Sequence, residues 1–194
     1  MSSFVLATAN PHKTVEINAV LAELGISVLP RPSEVPEVNE SSDTLEGNAL
    51  LKAWALVRAT GTPAIADDTG LFVDALGGQP GVHSARYAGV GASDQENVEK
   101  LLREMEDLAD DQRAAHFRTV IAVAYPDGRE TLVDGVLEGR ITRAPRGSGG
   151  FGYDGVFEPS EGDGRSLGEY SAGEKNASSH RARALRALAI RLAS

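Results

Sequence analysis

FVLATANPHK, residues 4–13, decides the fold class of this chain. Residues 4–8 form a short apolar run of strand length. Asn10 is a favoured helix N-cap and Pro11 a favoured first helical residue, so the strand leads straight into a helix. Ile17, Val20, Leu21 and Leu24 recur at helical spacing, and Gly25 stands where that helix should stop. Residues 26–29 read as a second strand. Strand, helix, strand is the opening of an α/β fold.

Outward from there, Asp43-Thr44-Leu45-Glu46 fits a capping box with Asp43 as the cap. It opens a helix to about Thr60, with Ala49, Ala53, Leu56 and Val57 on one face, ended by Gly61-Thr62-Pro63. Residues 63–66 form a strand that delivers two adjacent carboxylates in AIADDTG, residues 64–70. Successive strand side chains point to opposite faces. Asp67 and Asp68 are therefore expected on different sides, one toward the core and one outward, in different roles. A carboxylate at a strand end followed by Thr69-Gly70 either holds a hard cation or takes a proton from water. The plainer alternative is turn chemistry. Ser93–Glu96 is another capping box, opening a helix over 97–105. Residues 116–125 and 131–142 flank Pro126-Asp127-Gly128 and read as a long hairpin. A last helix spans about 178–192, with Leu185, Leu188, Ala189 and Leu192 toward the core. The expected sheet is mixed, parallel early and antiparallel late, with flanking helices.

The chain has 194 residues, enough for one domain with a substantial core. Lys plus Arg number 19 against 28 Asp plus Glu, a net charge of −9, which argues against duplex nucleic acid and membrane surfaces as partners. A phosphorylated small molecule is still compatible if the few basic residues converge. There is no cysteine, so disulfides, thiolate metal sites and a cysteine nucleophile are excluded. Residues 1–9 lack the features of a signal peptide, and no apolar run approaches the roughly 20 residues of a membrane span. The expected location is the cytoplasm. No internal repeat is visible, and the Gly/Ser/Asp-rich stretch 160–166 is the natural place for a mobile loop.

Three segments carry chemistry. In Thr8-Ala9-Asn10-Pro11-His12-Lys13 a strand meets a helix N-terminus, where backbone N–H groups and the helix dipole favour an anion. Thr8 and Asn10 can bond phosphate oxygens. Lys13 in the first turn opposes the dipole unless an anion sits there. The glycines of a Walker loop are missing. The competing reading is an ordinary Asn cap with a solvated lysine. Gly147-Ser148-Gly149-Gly150-Phe151-Gly152-Tyr153-Asp154 combines close backbone approach with two aromatics and an acceptor, which suits a flat ligand. The alternative is a flexible loop with its aromatics in the core. Glu174-Lys175-Asn176-Ala177-Ser178-Ser179-His180-Arg181 places two donors in a first helical turn capped by Ser178, or is simply a solvated helix start. No second histidine stands at ligand spacing, against a zinc site.

Together these segments resemble the inosine/xanthosine triphosphate pyrophosphatases. The matching residues are Thr8 to Lys13, Ala66-Asp67-Asp68-Thr69-Gly70, Leu76-Gly77-Gly78-Gln79-Pro80-Gly81, Ser84-Ala85-Arg86-Tyr87, Gly149 to Asp154, Glu174-Lys175 and Ser179-His180-Arg181, in family order over nearly the whole chain. The resemblance implies a single bilobed domain over residues 1–194, with two α/β lobes around a nucleotide-binding cleft. It implies hydrolysis of ITP, dITP or XTP to the monophosphate and pyrophosphate, with Mg2+, in a homodimer. Residue by residue, Thr8, Ala9, Asn10, Pro11, His12 and Lys13 would bind the triphosphate. Asp68 would be proton acceptor and metal contact, and Thr69 would touch substrate. Phe151, Gly152, Tyr153, Asp154, Lys175, His180 and Arg181 would bind the nucleotide, chiefly at its base. One segment departs from the family's Gly-x-Thr-Phe-x-Glu-Asn-Ala pattern. Aligned on Asn48-Ala49, the family's second glutamate falls on Gly47, and Glu46 lies one residue early, about 100° around a helix. Glu40 aligns with the family's earlier acidic residue and is the better metal ligand, with Glu37 behind it.

Two rivals remain at this level. A Maf-like pyrophosphatase would share the fold and the opening phosphate loop but prefer other nucleotides. A non-catalytic nucleotide-binding module would keep the loops and have no need of Asp68. A haloacid-dehalogenase-type phosphatase spaces its two aspartates one residue apart, whereas Asp67 and Asp68 are adjacent.

Overall fold

The computed structural model describes residues 3–193. In chain order the elements are β1 (Phe4–Leu6), α1 (Pro11–Glu23), β2 (Val28–Leu29), α2 (Leu45–Thr60), β3 (Ala64–Val73), β4 (Pro80–Gly81), α3 (Asp94–Glu104), β5 (Ala114–Ala124), β6 (Glu130–Ile141), β7 (Phe157–Pro159), α4 (Ala172–Ser178) and α5 (His180–Ala193). The sheet runs β2-β1-β3-β5-β6-β7, with β4 also on β3. Strand β1 is parallel to β2 and β3, while β4 on β3 and β7 on β6 are antiparallel. The sheet is mixed, as the sequence led us to expect. Among the described residues no helix is long and apolar enough to cross a membrane.

The chain forms two compact units. Of the described residues, the first gathers 3–68, Thr119–Gly135 and 180–193. Its core takes Phe4 and Leu6 from β1, Ile17, Val20 and Leu21 from α1, Ile65 from β3, Ile121 and Val123 from β5, and Leu185 and Leu188 from α5. Each such side chain contributes about 1.5–3 kcal/mol by leaving water. Asn10 caps α1 through its Oδ1, which accepts from the His12 and Lys13 N–H groups. The second unit comprises Thr69–Arg118 and Val136–Ser179. Leu71, Val73, Leu101, Met105, Phe117, Leu137, Val156 and Phe157 lie in its core. Ser93 and Glu96 form the expected capping box at α3.

Three local expectations change. The cap of α2 is Thr44 and not Asp43: Thr44 Oγ1 accepts from Gly47 N at 3.1 Å. The approach is set one residue later because Ser42 Oγ accepts from Thr44 N and Asn48 Oδ1 accepts from Ser42 N. Glu46 then falls at the second helical position, and the capping box read there does not form. The second difference is β3, which runs ten residues straight through AIADDTG, so the aspartates sit in mid-strand and no turn follows them. Last, the helix expected over about 178–192 is α5, which starts at His180, and a short helix absent from the sequence reading, α4, capped by Ser171 with Glu174, precedes it, the two separated by Ser179 in extended geometry. Ser178 ends a helix instead of starting one. The stretch 160–166 carries specific bonds. Arg165 reaches Asp163 and Glu174 and lies over the Tyr170 ring.

Candidate functional site

Within the first unit, β3 carries Asp67 and Asp68 side by side, and alternation sends them to opposite faces of the sheet. Helix α1 brings Lys13, whose Nζ lies 3.0 Å from Asp67 Oδ2. Helix α5 brings Arg181, whose NH2 and Nε donate to the same oxygen at 3.2 and 3.3 Å while NH1 donates to Glu16 at 2.5 Å. Asp68 meets a different helix: Lys52 of α2 donates to Asp68 Oδ1 at 2.7 Å and to Glu40 Oε1 at 2.9 Å. The expected separation of the two side chains therefore holds, each meeting different helices, but the expected exposure does not. Both aspartates are buried, at 1% and 5% exposure.

Burial acts on both carboxyls and the outcomes differ. For Asp67, desolvation is outweighed by Lys13, Arg181 and Lys52, which hold it well below the usual carboxylate range. For Asp68, burial wins over Lys52 and Lys13, and its pKa is raised. Burial lowers Lys13 despite its contact with Asp67. Lys52 is raised, because Asp68, Asp67 and Glu40 outweigh its own desolvation. Asp67 is thus a fixed anion anchoring two cations. Asp68 is the one better able to take a proton.

The phosphate segment is arranged differently from its sequence reading. The His12 and Lys13 N–H groups are already bonded to Asn10 Oδ1, and Asn10 N donates to Thr8 Oγ1. An incoming anion there meets the dipole, the Asn10 amide and exposed residues 9–12 instead of bare helix N–H groups. The anion that explains Lys13 is the protein's own Asp67. A cavity of about 370 Å³ adjoins this segment, lined by Thr8, Ala9, Thr14, Asn18 and Arg31 among others. His180 is buried, its Nδ1 2.6 Å from Thr119 Oγ1.

The glycine-rich loop belongs to the second unit. Asp154, 3% exposed, curls beneath it: its Oδ2 accepts from Phe151 N at 2.8 Å and from Lys175 Nζ at 2.5 Å. A Cβ on Gly150 would sit 2.2 Å from that same oxygen, so this glycine is required by the loop's own carboxylate. Lys175 Nζ lies 4.5 Å from the centroid of the Phe151 ring. Gly152 N donates to Asp94 Oδ2 at 2.7 Å. The two aromatics part company. Tyr153 is a core residue whose hydroxyl donates to Ser84 O, while Phe151 stays half-exposed. Thr69 is half-buried on β3.

Lys52, Glu16 and Thr119 escaped the sequence reading. For Lys52 a signal was present. Leu45, Asn48, Ala49, Lys52, Ala53 and Leu56 follow the i, i+3, i+4 rhythm of the buried stripe of α2, and a lysine on such a stripe needs a buried partner. Glu16 and Thr119 carry no comparable signal, since their partners lie 165 and 61 residues away.

The sequence matches the profile of the Ham1 family over residues 4–190. The chain belongs to the Ham1 family. A dITP/XTP pyrophosphatase of Streptomyces coelicolor is 48% identical, covering 97% of this chain and 96% of that protein. One of Symbiobacterium thermophilum is 50% identical, covering 93% and 90%. Among solved structures, a HAM1 protein from Coxiella burnetii superposes with a TM-score of 0.89 at 40% identity, covering 100% of this chain and 99% of that one.

The departure at Gly47 has a structural counterpart. A Cβ there would meet Ser42 Oγ at 2.1 Å, so the hydroxyl that sets the start of α2 occupies the space a larger residue needs. Among the described residues no group of three or more His, Cys, Asp or Glu side chains gathers as a metal site. Two carboxylates are nevertheless arranged around one cation: Lys52 Nζ bridges Asp68 and Glu40. That donor set suits magnesium, which takes few carboxylates and fills its shell with waters and phosphate oxygens.

Proposed function

We propose that this chain hydrolyses non-standard purine nucleoside triphosphates (dITP, ITP and XTP) to the nucleoside monophosphate and pyrophosphate, clearing them from the nucleotide pool. The observation that carries this reading is Asp68: a buried carboxylate with a raised pKa, beside a lysine and a second carboxylate, on a chain of the Ham1 family. The relatives' shared description as dITP/XTP pyrophosphatases supplies the substrate class.

In this reading Asp68 accepts the proton of the water that attacks the α-phosphorus, and pyrophosphate leaves. Without metal, burial raises its pKa above that of a solvated aspartate near 3.9, and its position beside the phosphoryl group must carry the rest of its effect as a base. Asp68 and Glu40 would hold Mg2+, which when bound supplies Lewis-acid polarisation of the phosphoryl group and a more acidic water. Thr8 to Lys13 take the triphosphate, with Lys13 offsetting its charge. Thr69 touches the substrate. Phe151 offers a ring for stacking, held by Asp154 and Lys175. His180 and Arg181 are donors suited to a 6-oxo group, which adenine's 6-amino group cannot satisfy. A single domain, a homodimer and a cytoplasmic location complete the proposal.

The test is product analysis with ITP and magnesium, with ATP and dTTP as comparison substrates. IMP and pyrophosphate, selective for ITP, is the expected result. IDP and phosphate would move the attack to the γ-phosphorus and overturn the role given to Asp68. A preference for dTTP would favour the Maf-like alternative.

A further inference from the structure

We propose that Lys52 is a placeholder cation. Its ammonium bridges Asp68 and Glu40 until a divalent ion takes the same oxygens, so metal binding is an exchange and not entry into an empty site. The inference rests on the reading of Asp68 and Glu40 as the metal-holding pair.

Lys52 Nζ lies 2.7 Å from Asp68 Oδ1 and 2.9 Å from Glu40 Oε1, with its side chain only 14% exposed. Two carboxylates drawn together in a partly dry site repel each other unless a cation stands between them. Lysine suits this role, being a compact point charge on a flexible four-carbon stem that can leave without moving the backbone. Its backbone is fixed in α2 while its side chain keeps some access to solvent, so the ammonium can give up both oxygens with the helix in place.

The charges around it favour an exchange. Lys13, Lys52 and Arg181 face Glu16, Glu40, Asp67 and Asp68, three cations against four carboxylates. The cluster carries a small negative excess that welcomes a cation. One divalent ion reverses that excess, and the cluster then welcomes a polyanion. Lys13 and Arg181 are committed to Asp67, so Lys52 is the cation placed on both proposed metal ligands. Without metal it keeps Asp68 and Glu40 close, and in doing so it competes with the ion for them.

The experiment is nucleotide-free titration with Mn2+, following free Mn2+ by electron paramagnetic resonance. The variants are Lys52→Met, Lys52→Gln, Lys13→Met and Glu40→Gln, and thermal melting is recorded with and without Mn2+. Removing the competitor is expected to tighten Mn2+ binding about tenfold or more, and to enlarge the metal-induced rise in Tm. Lys13→Met removes the same charge without touching either ligand and is expected to change the affinity less than about threefold. Unchanged or weaker binding in both Lys52 variants, with Glu40→Gln abolishing it, would overturn the exchange and leave the ligand assignment standing. Equal tightening by Lys13→Met would also overturn it, since the effect would then be one of overall charge. If Glu40→Gln bound Mn2+ as the wild type does, the ligand assignment would fail first and the exchange with it.

Discussion

Asp67 and Asp68 share a peptide bond and are driven apart chemically by what their opposite faces meet. Asp67 is locked as an anion by Lys13 and Arg181, while burial leaves Asp68 with a raised pKa. Asp68→Asn is expected to lower kcat for ITP by about 10²–10⁴-fold with little change in melting temperature, the usual worth of a positioned base. Retention of most of the turnover at saturating magnesium would remove Asp68 from the chemistry. Arg181 calls for a different expectation from a simple base-reading donor. It is 2% exposed and its guanidinium is spread over Asp67 and Glu16. Truncation would strand a buried charge, so Arg181→Ala should cost about 3–5 kcal/mol in a denaturant titration, besides raising KM for ITP and narrowing its advantage over ATP. Full stability with only the ITP/ATP ratio altered would show that Arg181 serves the ligand and not the fold. The sequence placed the aspartate pair, but not these partners. Lys13 and Asp67 are 54 positions apart in the chain, and only packing of α1 on β3 brings them to 3.0 Å.

Among the elements, α5 presents both His180 and Arg181, and its seat is decided by a residue with no side chain. A Cβ at Gly135 of β6 would come within 2.3 Å of His180 O and 2.4 Å of Ala184 N, backbone atoms that cannot step aside. Gly135→Ala is therefore expected to lift the first turn of α5. Overpacking of this kind costs about 1–3 kcal/mol, and turnover should fall along with Tm although residue 135 makes no contribution to the chemistry. Differential scanning calorimetry with an ITP assay on the same sample checks both, and wild-type values for the two would mean that α5 is not seated by this contact. Helix ends are legible where the cap is local: the N-caps Asn10 and Ser93 and the C-cap Gly61 stand where residue type alone places them. The start of α2 lies one residue later than residue type suggests, because Asn48, Ser42 and Thr44 accept in turn from the N–H groups of Ser42, Thr44 and Gly47, an arrangement that exists only in the folded turn.

For the molecule as a whole, the buried charges make stability depend on pH in a defined direction. Asp67 has a folded pKa far below its unfolded value of about 3.9. Its stabilising contribution is complete above that unfolded value and is lost as pH falls through the acid range toward the folded one. The wild type should lose Tm steeply below about pH 4, and Asp67→Asn should be less stable at pH 7 but flatter in acid. Melting curves at pH 3 and 7 decide this, and parallel acid slopes for the two proteins would show that Asp67 is not the linked group.

What the sequence determined by itself was whatever depends on near neighbours in the chain: the α/β class from a strand capped into a helix, the mixed sheet from the order of runs, the hairpin after Tyr125, and the aspartate pair on opposite faces of one strand. These follow from backbone periodicity and capping, which are local. The tertiary structure decided which aspartate is held as an anion and which has its pKa raised by burial. It also showed that the glycine loop is packed around Asp154 and Lys175, and that a lysine on the buried stripe of α2 stands between Asp68 and Glu40. Those outcomes turn on desolvation and on charges brought within about 3 Å from distant parts of the chain, quantities that come into existence only when the chain has packed.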